Sequence, residues 1–112
     1  MDRKVFTYAE ALASFPRVRQ LTVGAVRQVE AVYQGVRGRE DAESRKDELE
    51  AAVQGIVQQW SERVIALGCE VKGLWLVDWD NGDGYFCWRY PEENISHFHG
   101  YEEGFAGRVP IH

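Results

Sequence analysis

Two histidines stand two residues apart near the C-terminus, His97 and His99. In a strand, residues two apart share a face at a spacing of about 6.5–7 Å, so both imidazoles could reach one metal ion. Asp78, Glu102 or Glu103 could supply a carboxylate. A set of His97, His99, Asp78 and Glu102 would suit zinc or another divalent ion. The plainer alternative is a half-buried histidine hydrogen-bonded to a glutamate or to backbone.

Asp78 lies inside an apolar run, Leu74-Trp75-Leu76-Val77-Asp78-Trp79. An ionised carboxylate there is costly unless it is paired or well hydrogen-bonded. Arg89 ends a run of aromatic strand residues, and Arg108 follows the glycine of Gly104-Phe105-Ala106-Gly107. Each charge would be expensive alone, which predicts that Asp78, Arg89, His99 and Arg108 converge on one polar cluster beside the C-terminal segment. If the cluster lines an open pocket, it would take a small anion or carboxylate. If it is sealed, it fixes the tail to the sheet.

Cys87 sits in mid-strand between Phe86 and Trp88. A nucleophilic thiol needs a neighbouring base or positive charge, and His99 could serve if the strands pair suitably. A small buried core thiol is the simpler reading. Gly104-x-x-Gly107-Arg108 could offer backbone N–H groups and a guanidinium to an anion, or be a structural loop with Arg108 tied to Asp78 or another acid. It is not a phosphate loop, since no Lys-Ser/Thr follows. No Ser-His-Asp signature or dinucleotide fingerprint occurs.

The elements that must position these groups are legible in the periodicity. Thr7-Tyr8-Ala9-Glu10 fits a capping box, predicting a short helix over about 8–13 that Pro16 interrupts, because proline disfavours a helical residue before it. A longer helix over about 16–37 carries the stripe Val18, Leu21, Ala25, Val29, Val32, Val36, and the polar Gly38-Arg39-Glu40-Asp41 is the connection. The stripe Leu49, Val53, Ile56, Trp60, Val64, Leu67 predicts a helix over about 44–67, closed by Gly68. Helical period then gives way to strands over about 74–79, 85–90 and 95–99. They are separated by Asp80-Asn81-Gly82-Asp83-Gly84, which contains the Asn-Gly hairpin signal, and by Pro91-Glu92-Glu93-Asn94. The expected fold is α+β: a long antiparallel helix hairpin packed on a small antiparallel β-meander, with an ordered Gly-rich C-terminal loop.

The chain has 112 residues, 45% of them hydrophobic and 28% charged, which suits one globular domain, residues 1–112. No apolar run approaches the roughly 18 residues of a membrane span. The first residues lack the apolar core of a signal peptide. Two cysteines, Cys69 and Cys87, are too few for a disulfide scaffold. These features point to a cytoplasmic protein with reduced thiols. The net charge of -5 disfavours nucleic acid or an anionic membrane as partner. The charge is uneven: residues 1–40 carry seven Lys/Arg against four Asp/Glu, and residues 41–112 six against fourteen.

Several of these segments form a recognisable order: Leu76-Val77-Asp78-Trp79, then Cys87-Trp88-Arg89, then Phe98-His99, then Gly104-Phe105-Ala106-Gly107-Arg108 with Pro110-Ile111. Together with Phe6-Thr7, Ala11, Leu12 and Pro16-Arg17-Val18 they resemble the bacterial domain of unknown function 2203 family over nearly the whole chain. The resemblance implies a compact α+β domain and carries no catalytic residue with it. The chain departs from that pattern at Trp75, where the family has Gly, at Trp79, where it has Phe, and at His97, where it more often has an aromatic.

The leading expectation for function is a small binding or interaction module that self-associates. The chain has more aromatics than a meander on two helices needs, and a homodimer is the simplest partner. The competing expectation is a metal-dependent hydrolase or lyase, with the His/carboxylate set holding the metal and Arg108 holding an anionic substrate.

Overall fold

The Thr7 hydroxyl accepts a hydrogen bond from the Glu10 N–H at 3.0 Å, and Glu10 Oε1 accepts one from the Thr7 N–H at 2.8 Å. The capping box is thus complete. In the computed structural model, which describes residues 4–35 and 45–111, helix α1 starts there and runs unbroken over Tyr8–Gln34. The interruption expected at Pro16 does not occur. Pro16 is exposed, and the carbonyl deprived of its helical partner belongs to Leu12, itself 38% exposed, so that side of the helix is open to water. Ala11, Phe15, Val18, Thr22 and Ala25 are all buried. One core-facing stripe therefore passes beneath the proline, and its burial outweighs a cost of roughly 3 kcal/mol. The helix end expected near residue 37, the Gly38–Asp41 connection and the helix start expected near residue 44 lie outside the described residues.

Helix α2 covers Lys46–Ala66. Gly68, at φ 95°, closes it, as its position predicts. The two helices are tied together by a buried relay. Trp60 Nε1 donates to Thr22 Oγ1 at 2.8 Å, and the Thr22 hydroxyl donates to the Val18 carbonyl at 2.8 Å. Trp60 and Val64 are buried, whereas Leu49 and Val53, nearer the connection, are only half-buried. The helix pair is thus sealed most tightly where it meets the sheet.

The sheet has five antiparallel strands in sequential order: β1 Glu70–Gly73, β2 Leu76–Asp80, β3 Tyr85–Arg89, β4 His97–His99 and β5 Val109–Pro110. Three were expected. Strand β1 is additional, and it shifts the start of β2 from residue 74 to Leu76, because Leu74 and Trp75 form the tight turn joining Gly73 to its partner Leu76. Trp75 takes φ 57° there, a left-handed conformation that costs an L-residue about 1–2 kcal/mol and that glycine adopts freely. The Trp75 ring packs edge-on against Trp60, with centroids 4.9 Å apart, which offsets the backbone cost. The tail, expected as a loop, forms a 3-10 turn, Phe105–Gly107, and then β5, which pairs with β4.

Register fixes the two faces. Val77 pairs with Trp88 and Trp79 with Phe86, and these side chains meet the helices. Phe15 stacks edge-on against both Trp79 and Trp88, and Trp79 Nε1 donates to the Ser14 hydroxyl at 2.8 Å. The surplus of aromatics is thus largely absorbed inside: Trp79 and Trp88 are fully buried and Trp75 is stacked. Among the described residues, no helix is long and apolar enough to cross a membrane.

Candidate functional site

Strand alternation sends the remaining side chains to the face away from the helices. Asp78 stands opposite Cys87, Asp80 opposite Tyr85, and Tyr85 opposite His99, with His97 opposite Cys87. An apolar strand would normally leave this face to solvent. Here the C-terminal segment folds over it, and Asp78, Cys87 and His99 are 1%, 0% and 3% exposed.

His99 Nε2 lies 2.8 Å from Asp78 Oδ2, and His99 Nδ1 lies 2.7 Å from the Gly100 carbonyl oxygen. A carbonyl only accepts, so Nδ1 carries a proton and donates it. The 2.8 Å contact on the other nitrogen requires one further proton held between imidazole and carboxyl. Burial pushes the Asp78 carboxyl above the usual carboxylate range, and this is partly offset by the neighbouring Cys87 thiol and by His99. Asp78 Oδ1 has no hydrogen-bond partner. Burial, and secondarily the Asp78 charge, pushes the Cys87 thiol up to about 12, against a smaller opposing effect of Arg108. Both nitrogens of His99 are engaged elsewhere, and the carboxyl that faces the thiol, Asp78, raises it further, so the arrangement does not activate it as a nucleophile.

The two histidines share a face, as their spacing predicts, but serve different acids. His97 Nδ1 is 3.2 Å from Ser96 Oγ and 4.0 Å from Glu92 Oε2. The four-residue cluster expected from the sequence divides in the same way. Asp78 and His99 are in direct contact. Arg108 makes a bidentate pair with Glu92, at 2.9 and 2.8 Å, and reaches the cluster only through Cys87, with Nη1 4.0 Å from Sγ. Arg89 is exposed and points its guanidinium at the Phe105 ring, 5.5 Å from its centroid, while Arg108 covers the same ring at 4.1 Å. Glu92 also accepts the Arg89 N–H at 2.8 Å. Burial alone would raise the Glu92 carboxyl, yet its hydrogen bonds from Arg108 and Arg89 hold it below the ordinary value. Glu102 is exposed. Glu103 folds back over Gly100 and Gly107, where a Cβ on either glycine would meet it at 2.8 Å.

Asp78 and His99 form the floor of a cleft of about 290 Å³, walled by Lys72 and Tyr85 and roofed by Tyr101 and Phe105. The Tyr101 hydroxyl donates to Asp80 Oδ1 at 2.7 Å, and its ring stands edge-on to Tyr85. Lys72 Nζ is 3.0 Å from Glu70 Oε1 and 4.3 Å from the Tyr85 ring centroid. Gly84 lets β3 approach the end of β4, because a Cβ there would collide with the His99 carbonyl. Sequence reasoning passed over Lys72, Tyr85, Glu92 and Tyr101. The alternation in Glu70-Val71-Lys72 is a signal for β1, and hence for Lys72. Nothing local marks Glu92 or Tyr101, whose partners lie across the sheet.

One oxygen of Asp78, Cys87 Sγ and one nitrogen of His99 all lie within 4.8 Å of one another. The donor set that the structure gathers is therefore Asp78, Cys87 and His99, while His97 and Glu102 stand apart from it.

Residues 4–111 match a family described as an uncharacterized conserved protein, DUF2203. The chain belongs to the DUF2203 family. No curated protein and no solved structure matches it. Within this DUF2203 chain, the segments that carried the resemblance supply the buried polar face, with Asp78 from the first, Cys87 from the second and His99 from the third. The fourth adds Phe105, which lines the cleft above it, and Arg108, which reaches Cys87.

Proposed function

We infer that this DUF2203 chain is a small binding domain whose ligand enters the cleft beneath Tyr101 and Phe105 and meets Asp78 and His99 at its floor. The observation that carries the reading is Asp78 itself. It is 1% exposed, lines a cleft, and keeps one carboxyl oxygen without a hydrogen-bond partner. Unpaired buried oxygens of this kind are rare and costly, and a ligand that donates to Oδ1 removes the cost. The floor is acidic, Arg108 is committed to Glu92, and Lys72 to Glu70. The chemistry therefore favours a cation or a hydrogen-bond donor over the anion considered from sequence. Thermal-shift measurements with small cations, amines and amides test this. Compounds that raise the melting temperature of the wild type should leave Asp78→Asn unmoved. Equal responses from both proteins, or none from the wild type, would contradict it.

A second reading, self-association, draws on a different surface. β1 is an edge strand, Leu74 beside it is 58% exposed, and Val53, Val57, Trp60 and Val71 line the adjoining groove. A second copy adding its own edge strand would cover both features. Sedimentation at micromolar concentration should then show a dimer that Leu74→Asp dissociates. A clean 12.8 kDa monomer would contradict it.

A further inference from the structure

We propose that Asp78, Cys87 and His99 form a three-residue site for a zinc-class divalent cation, with the cation's fourth position opening on the cleft beneath Tyr101 and Phe105. The proposal rests on the cleft-binding reading above and names its ligand.

The donor set matches the ion. A carboxylate oxygen, a thiolate sulfur and an imidazole nitrogen are the three ligand types that zinc takes from proteins. Tetrahedral ligand atoms at about 2.0–2.3 Å from zinc lie roughly 3.3–3.7 Å from one another. In the protein the three donors lie within 4.8 Å of one another, and the closest contact, His99 to Asp78, is 2.8 Å. Side-chain rotation therefore suffices to close on an ion, and no strand need move.

The imidazole is already in the form that a metal needs. Its Nδ1–H is held by the Gly100 carbonyl at 2.7 Å, which leaves Nε2 as the ligating nitrogen and fixes the ring plane. A backbone carbonyl behind a metal-bound histidine is a recurrent support for such sites. Asp78 brings the independent observation: it is 1% exposed, and Oδ1 is unpartnered.

Charge also balances. A divalent cation, one carboxylate, one thiolate and one neutral imidazole sum to zero, so the loaded site can be buried at far lower cost than its separate ions. On binding, the Cys87 S–H bond breaks and the proton shared by Asp78 and His99 departs. Sulfur, nitrogen and oxygen each donate an electron pair to the ion, and two protons pass to solvent. Arg108, with Nη1 4.0 Å from Cys87 Sγ, favours the thiolate that results. His97 takes no part, since its ring is directed at Ser96 and Glu92.

Cobalt(II) titration of the full chain, purified without a histidine tag and freed of metal, tests this. The expected result is a near-ultraviolet thiolate-to-cobalt absorption band that saturates at one equivalent and is displaced by zinc. His97→Gln should keep the band. Cys87→Ser and His99→Gln should lose it, with far-ultraviolet circular dichroism confirming that each variant is folded. Absence of the band in the wild type overturns the proposal, whatever the variants do. Persistence of the band in Cys87→Ser also overturns it, by placing the metal on Cys69. If the band is absent while amines or amides still stabilise the wild type and not Asp78→Asn, the metal site falls and the cleft-binding reading stands. If neither responds, both fall.

Discussion

His99 Nε2 reaches Asp78 Oδ2 at 2.8 Å across the whole of β3, since Asp78 lies on β2 and His99 on β4. Strands two apart are separated by about 10 Å, so both side chains lean over the strand between them. Cys87, opposite Asp78 in register, is small enough to let them meet. The pair is buried because the C-terminal segment covers this face, and burial sets its proton chemistry. Folding holds the Asp78 proton more tightly than the unfolded chain does, since burial raises this carboxyl above its ordinary 3.8. The contribution of Asp78 to stability is thus fullest below that value and is lost as pH rises through the raised one. Asp78→Asn removes the titrating group and keeps the shape. The stability advantage of the wild type over Asp78→Asn, read from urea midpoints between about pH 4 and pH 8, should shrink or reverse with rising pH. An advantage that grows with pH would contradict this.

Glu92 carries the opposite sign. Its carboxyl is held below its ordinary 4.5 by hydrogen bonds from Arg108 and from the Arg89 N–H, which outweigh its burial. The stabilisation is present above that value and is lost as pH falls through the depressed one. Glu92→Gln should cost about 1–3 kcal/mol at neutral pH, with the difference from wild type vanishing in acid. A cost that is independent of pH would show that packing, and not the ion pair, is responsible.

Thr22 tests the relay between the helices. Thr22→Val preserves shape but leaves the buried Trp60 N–H without its acceptor, at an expected cost of about 1–3 kcal/mol. Thr22→Ser keeps the hydroxyl and should retain more of the stability despite its missing methyl. Chemical denaturation of both variants decides the point. If valine is the milder change, the relay contributes little.

Trp75 allows the turn and the ring to be separated. Trp75→Gly and Trp75→Ala both remove the stacking on Trp60, but only alanine retains a Cβ at φ 57°. Glycine should be the more stable of the two by roughly 1 kcal/mol, the reverse of the usual order. Equal stability would mean that the turn relaxes once the ring is gone.

The helices and the hairpin turn were legible because their signals are local: the capping box at Thr7, the apolar stripes, Gly68 and the Asn-Gly turn. Pro16 misled because its local preference is weaker than a continuous core stripe running from Ala11 to Ala25. β1 was missed because Glu70-Val71-Lys72-Gly73 is short and little of it is buried. At the site, the cost of a lone buried charge grouped Asp78 with Arg89, His99 and Arg108, and of these it is His99 that touches Asp78. The arginines were misplaced because Arg108 finds a better bidentate partner in Glu92, and that choice depends on a turn folding back across the sheet. The part of Cys87 in the donor set depends on strand parity, which no residue in either turn determines alone.

The central claim is that Asp78, Cys87 and His99 act as one metal-binding unit. Nitrogen-15 NMR of the three imidazoles, with and without one equivalent of zinc, tests it most directly. Before zinc, His99 should show a protonated Nδ1, bonded to the Gly100 carbonyl. With zinc, His99 Nε2 alone should move to the position of a metal-bound nitrogen, while His97 and His112 stay in place. A response at His97 or His112 with His99 unchanged, or no response at all, would contradict the account.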